Sequence, residues 1–138
     1  MLIELPRPVA EFFDAVNSRD FDALACCLAE DISYHLAVPH PPVTGRTAVV
    51  DALRVSLTAA DRVSWEPISH LADHDRTFVE RVDRFWFGAH EAAIEVTGVF
   101  ELAGDTIGAI RDYADLDTWR QRKAAALNAA RPTDEGDR

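Results

Sequence analysis

Apolar residues recur at helical spacing in the first third of the chain and at strand spacing over most of the rest. Val9, Phe12, Phe13 and Val16 fall at i, i+3, i+4 and i+7, which predicts an amphipathic helix with Pro8 in its first turn. Asn17-Ser18-Arg19-Asp20 breaks that stripe. Asp20 is a candidate N-cap for a second helix carrying Phe21, Leu24, Ala25 and Leu28 on one face. Ile32, Tyr34 and Leu36 then alternate as in a strand, and Pro39-His40-Pro41-Pro42 followed by Gly45 demands an irregular loop. A third helix is predicted from about Thr47, with Val50, Leu53 and Leu57 inward.

From Arg62 onward the period drops to two. Segments 63–71, 77–87, 91–102 and 106–114 read as strands, joined through Asp73-His74-Asp75, Gly88-Ala89 and Ala103-Gly104-Asp105, each suited to a hairpin. Within 91–102, Ala92, Ile94, Val96, Gly98, Phe100 and Leu102 share a face. A last helix over 115–129 places Leu116, Trp119, Lys123 and Leu127 on one stripe, with Asp115 and Asp117 complementing the dipole at its start. Helices followed by an antiparallel meander predict an α+β domain in which helices cover one face of a curved, mostly antiparallel sheet. Curling of that sheet would leave a pocket between its concave face and the helices. One domain over 1–130 is expected, followed by a tail over 131–138 with the composition of a disordered segment.

A chain of 138 residues can bury a core without disulfides. Its 24 Asp and Glu against 14 Lys and Arg give a net charge of −10, which argues against nucleic acid and anionic membranes as partners. The only cysteines, Cys26 and Cys27, are adjacent and read as reduced thiols. With no signal-peptide pattern and no apolar run near the ~20 residues that span a bilayer, a cytoplasmic protein is expected.

One strand resists this patterning. Alternation in 77–87 sets Arg81 and Asp83 on the face that carries Val79, Phe85 and Phe87. Charges among apolar neighbours are costly unless paired, so the two face solvent, form a structural ion pair, or line a cavity. In 106–114 Asp112 shares its face with Ile110 and Ala114, a second carboxylate with apolar neighbours. If Arg81 lies between Asp83 and Asp112, its planar fork can hydrogen-bond both. One carboxyl could then act as a base while the other keeps a proton as an acid.

Glu80-Arg81-Val82-Asp83, then Gly98-Val99-Phe100-Glu101-Leu102 and Ile110-Arg111-Asp112-Tyr113-Ala114-Asp115-Leu116, resemble the limonene-1,2-epoxide hydrolase family in order and spacing. Similarity extends more weakly through the segment with Tyr34 and the Pro-rich loop. The resemblance implies the cone-shaped fold of the nuclear-transport-factor-2, SnoaL and ketosteroid-isomerase type, as a homodimer. It implies that Asp112 is a general base deprotonating a water, that Asp83 is the acid protonating an epoxide oxygen, and that Arg81 bridges the two. Tyr34 would help to hold the water. The implied reaction is a one-step opening of a lipophilic epoxide to a diol, without metal or organic cofactor. Val79, Phe85, Ile94, Val96 and Phe100, with Leu36, would line the pocket. The sequence departs from the family at one position: Leu36 stands where an Asn would also hold the water, and leucine can neither donate nor accept.

Other signals are weaker. No pair among His35, His40, His70, His74 and His90 has the i, i+4 spacing on a helix or the Cys company of a zinc site, and Asp73-His74-Asp75 reads as a solvated hairpin tip. Trp65, Trp86 and Trp119 read as core or interface anchors, with Trp86 on the face opposite Arg81. An epoxide-opening cyclase, an isomerase of the ketosteroid type or polyketide cyclase, and a non-enzymatic binder of a hydrophobic ligand stay open beside the hydrolase.

Overall fold

Two short helices open the chain, α1 (Arg7–Ser18) and α2 (Phe21–Cys26), in a computed structural model that describes residues 4–131. Arg19, in the left-handed region at φ 54°, turns the chain between them. Its guanidinium then reaches the carbonyls of Leu57, Ala60 and Asp61. Asp20 caps α2, its Oδ1 accepting the Ala23 N–H at 3.0 Å. The chain continues through β1 (Leu28–His35), β2 (Val43–Thr44), α3 (Arg46–Thr58), β3 (Arg62–Ala72), β4 (Arg76–Phe87), β5 (His90–Ala103), β6 (Thr106–Tyr113) and α4 (Leu116–Ala130).

The strands form one sheet in the order β2-β1-β6-β5-β4-β3. β3 to β6 are the predicted antiparallel meander, and β1 adds to its edge by pairing parallel with β6. The fold is the expected α+β arrangement, four helices on a curved, open six-stranded sheet of the nuclear-transport-factor-2 type.

Three details differ from the sequence reading. Leu28 does not extend α2 but begins β1. It lies four residues after Leu24 and so fits a helical stripe, but the strand it opens is irregular between Leu28 and Ser33. The inward stripe of α4 runs through Leu116, Trp119, Lys123, Ala126 and Ala130, while Leu127 is exposed. A helix packed close to β5 turns small residues inward, and Ala126 admits that approach where Leu127 would not. The tail expected over 131–138 lies, beyond Arg131, outside the described residues.

The concave face of the sheet is divided between two coverings. Phe12 and Phe13 of α1 pack edge-on against Phe100, with ring centroids 5.4 and 5.6 Å apart, and fill one part of it. The part between α3 and the start of α4 stays open as a cavity of about 210 Å³. On the outer face the Arg62 guanidinium lies 3.9 Å from the ring centre of Trp86, so that indole is half covered within its own chain. No helix among the described residues is long and apolar enough to cross a membrane.

Candidate active site

Strand pairing brings the three charged residues together. Arg81 and Asp83 lie two residues apart on β4 and so point to the same face, where Arg81 pairs with Val96 and Asp83 with Ile94 of β5. Asp112 lies one strand further on, in β6, opposite Gly98 of β5. Two strand spacings, about 9–10 Å, separate β4 from β6. An arginine can bridge them only by passing over β5, and Gly98 is where it passes.

A Cβ built on Gly98 would lie 2.6 Å from Arg81 Nη1 and 2.7 Å from Asp112 Oδ1. A glycine inside an otherwise alternating strand is the sequence sign of such a close approach, although the pattern alone shows only which face it shares. Gly98→Ala is expected to lower stability by about 1–3 kcal/mol, because strand or guanidinium must move and loosen a buried ion pair. Urea unfolding measures this, and a loss below about 0.5 kcal/mol would mean that the crossing is not tight.

The guanidinium uses both edges. Nε and Nη2 donate to Asp83 Oδ1 and Oδ2 at 2.7 and 3.0 Å, and Nη1 and Nη2 donate to Asp112 Oδ1 and Oδ2 at 3.1 and 2.9 Å. Side-chain exposure is 0% for Arg81 and 6% and 5% for Asp83 and Asp112. Burial opposes the charge on Arg81, but Asp112 and Asp83 outweigh it and hold the guanidinium charged. Tyr34, brought beside Ile110 by the parallel β1–β6 pairing, donates its hydroxyl to Asp112 Oδ2 at 2.6 Å. Burial and the Asp112 charge push the Tyr34 phenol well above its ordinary value, so it remains a donor.

The two carboxylates are not equivalent. Asp112 accepts from Tyr34 and from two guanidinium nitrogens, whereas Asp83 is held by Arg81 alone among the described residues. Burial is the largest influence on Asp83 and pushes it from 3.8 up to about 6, against the lowering effect of Arg81. The site therefore contains one carboxyl that receives three donors and one, bonded to Arg81 alone among the described residues, whose affinity for a proton is raised by burial.

Asp83, Asp112 and Tyr34 reach the cavity, and Arg81 lies buried beside them without lining it. Leu36, Phe85, Ile94 and Val96 stand on its wall. Val79 and Phe100 do not line the cavity: both are wholly buried, and the phenylalanines of α1 occupy the space above Phe100. Period-two alternation assigns a face but not what covers it. The reading also missed the helical and aromatic walls, Ala52, Leu53 and Ser56 of α3 with Trp65, Ala114, Leu116 and Trp119. Trp119 packs on Phe85 at 4.9 Å between ring centres, so it is at once anchor and wall.

Other sequence candidates lie elsewhere. His35, half-buried, is 3.2 Å from the His40 carbonyl through Nδ1, and Cys26 and Cys27 are free thiols, the first exposed. Asp73, His74 and Asp75 converge at an exposed hairpin tip, where Asp73 Oδ1 accepts the backbone N–H groups of Asp75 and Arg76 and so closes the turn.

An LEH-like epoxide hydrolase of M. tuberculosis superposes with a TM-score of 0.73 at 28% identity, over 89% of this chain and 91% of the other. The epoxide hydrolase/cyclase-like enzyme SalBIII of pyran-ring formation in the polyether salinomycin gives 0.73 at 23% identity over 81% and 91%. A putative polyketide cyclase of Xanthomonas campestris gives 0.73 at 21% over 84% and 93%. These last two show the fold alone. Comparison with curated protein sequences finds no match. The model of the limonene-1,2-epoxide hydrolase catalytic domain matches residues 4–124, which include every residue of the charged cluster, and the chain belongs to that family.

Proposed function

We propose that this protein opens a compact lipophilic epoxide by general acid–base catalysis. The observation that carries this reading is the Asp83–Arg81–Asp112 cluster, whose two carboxyls reach one side of a largely apolar cavity while Arg81 lies buried behind them. Asp112 takes the proton of the attacking oxygen as that oxygen bonds to a ring carbon. Asp83 gives its proton to the ring oxygen as the C–O bond breaks. With water as nucleophile the product is a vicinal diol, and the two carboxyls exchange protonation and are reset through solvent. Arg81 holds both carboxylates at a fixed separation, which matters because attack and protonation occur on opposite sides of a strained ring. A cavity of about 210 Å³ lies below the roughly 300–1,000 Å³ of pockets for drug-sized ligands, which favours a compact substrate over a steroid-sized one.

A second reading has its own observation. Leu36 lines the cavity without any group to hold a water, and Tyr34 is already engaged with Asp112. The same two carboxyls would serve a hydroxyl of the substrate itself as nucleophile, closing a cyclic ether. The fold relative SalBIII is described as epoxide hydrolase/cyclase-like.

One experiment separates these. Terpene-sized, fatty and steroidal epoxides, together with a hydroxy-epoxide, are incubated in heavy-oxygen water. A labelled diol identifies hydrolysis, an unlabelled cyclic ether from the hydroxy-epoxide identifies cyclisation, and no ring-opened product above background would sink both readings.

The acid role of Asp83 fixes a pH dependence. Because burial raises its value to about 6, the active protonated form is present below that pH and lost above it, so kcat is expected to fall as pH rises through about 6. The linked stability has the same sign. Folded Asp83 holds a proton that the unfolded side chain releases near 3.8, so this contribution is complete below 3.8 and disappears as pH rises through about 6. A pH–rate profile with no descending limb in that region would remove Asp83 from the acid role.

The outer sheet face carries exposed Leu71, Phe78 and Tyr113, a surface suited to the homodimer that the family resemblance implies. Sedimentation at micromolar concentration tests it, and a monomer would exclude it.

A further inference from the structure

Trp65 carries a buried donor with nothing to receive it. Its indole Nε1–H is buried and finds no acceptor among the described residues, although the residue lines the cavity. Buried indole N–H groups normally have a partner, and one left without it in a residue that lines a cavity points to a ligand atom that completes it when the site is filled. The ring is not free to seek a protein acceptor. Asn17 of α1 accepts the Trp65 backbone N–H at 2.7 Å and donates to its carbonyl at 3.0 Å. The Arg81 guanidinium lies 4.9 Å from the ring centre, and Phe12 and Phe85 bracket the ring at 6.4 and 6.3 Å.

A second hydroxyl donor shares the cavity. Ser56 of α3 lines it, is exposed, and makes no side-chain hydrogen bond among the described residues, whereas Thr58 on the same helix turns its hydroxyl back to the Arg54 carbonyl. Apart from these two, the indole of Trp119 and the site residues Tyr34, Asp83 and Asp112, the lining is apolar. Arg81 is wholly buried, so the charges that reach the cavity are those of the carboxyls, and an anionic substrate is disfavoured.

We propose that the substrate is a neutral epoxide bearing a second oxygen, an ether or carbonyl acceptor set apart from the ring, which the Trp65 N–H and the Ser56 O–H recognise. This substrate class rests on the epoxide-opening reading above. The oxygen offers two lone pairs to two donors, one from each side of the cavity, and fixes which end of an apolar body faces Asp83 and Asp112.

The test uses a cycloalkene oxide and its keto derivative, with wild type, Trp65→Phe and Ser56→Ala. The ratio of kcat/KM for the ketone over that for the hydrocarbon is expected to fall about tenfold in Trp65→Phe and about threefold in Ser56→Ala. An unchanged ratio in both would overturn the proposal. In parallel, nitrogen-15 spectra of the wild-type indoles are recorded with the saturated ketone and with the saturated hydrocarbon, neither bearing an epoxide. The resonance missing from Trp65→Phe should move with the ketone and stay with the hydrocarbon, and equal movement or none would also overturn it. This measurement needs neither turnover nor a folded variant to detect a response of the wild-type indoles. Should wild type open neither epoxide, the epoxide reading fails while the indole response still decides whether an oxygen acceptor is recognised.

Discussion

Asp112→Asn is expected to lower turnover by about 10²–10⁴-fold while the chain stays folded. The amide has the shape of the carboxylate, and its oxygen, placed where Oδ2 lies, still accepts from Tyr34 and Arg81 Nη2 at the loss of the Nη1 contact. It cannot take a proton from an attacking oxygen. A cooperative melt with residual ligand binding, alongside the lost turnover, separates chemistry from folding. Wild-type turnover by this variant would move the base role away from Asp112 and favour a cavity that only binds.

The largest effect on stability is expected from Arg81→Met. Methionine fits the length of the stem but leaves Asp83 and Asp112 buried without their counter-charge. Breaking a buried pair in this way costs about 3–5 kcal/mol. The deficit relative to wild type should shrink as pH falls, because a protonated carboxyl no longer needs the cation. Adding Asp83→Asn and Asp112→Asn to the same chain should restore much of the loss, since the three substitutions share one network. Equilibrium urea unfolding at two pH values measures both. An Arg81→Met protein as stable as wild type at neutral pH would mean that water reaches the carboxylates far more freely than their exposure implies.

The sequence made the charged side of the site legible because strands obey a period of two. That rule puts Arg81 and Asp83 on one face, and it marks Asp112 as a carboxylate with apolar neighbours. Four things escaped it for physical reasons. Depth is not periodic, so Val79 and Phe100 share the face of Phe85 yet are wholly buried away from the cavity, Phe100 under the phenylalanines of α1. A parallel partner leaves no hairpin signal, so the pairing of β1 with β6, which delivers Tyr34 to Asp112 from 78 residues away, could not be read locally. Gly98 has no side chain to advertise a role, and its significance is the space it leaves for a neighbour. Trp65 and Trp119 were visible as large apolar anchors, but nothing in a linear pattern tells an anchor from a wall.

The arrangement of the cavity separates two kinds of change. Asp83, Asp112, Arg81, Gly98 and Tyr34 all belong to strands, and their hydrogen bonds close among themselves. Ala52, Leu53 and Ser56 of α3 and Leu116 and Trp119 of α4 face the same cavity without bonding to that cluster. Substitutions in those helices can therefore reshape the bound molecule's enclosure while the proton-transfer groups keep their distances. New specificities should be found by varying the helical side of the cavity, leaving the sheet side as an invariant reaction module.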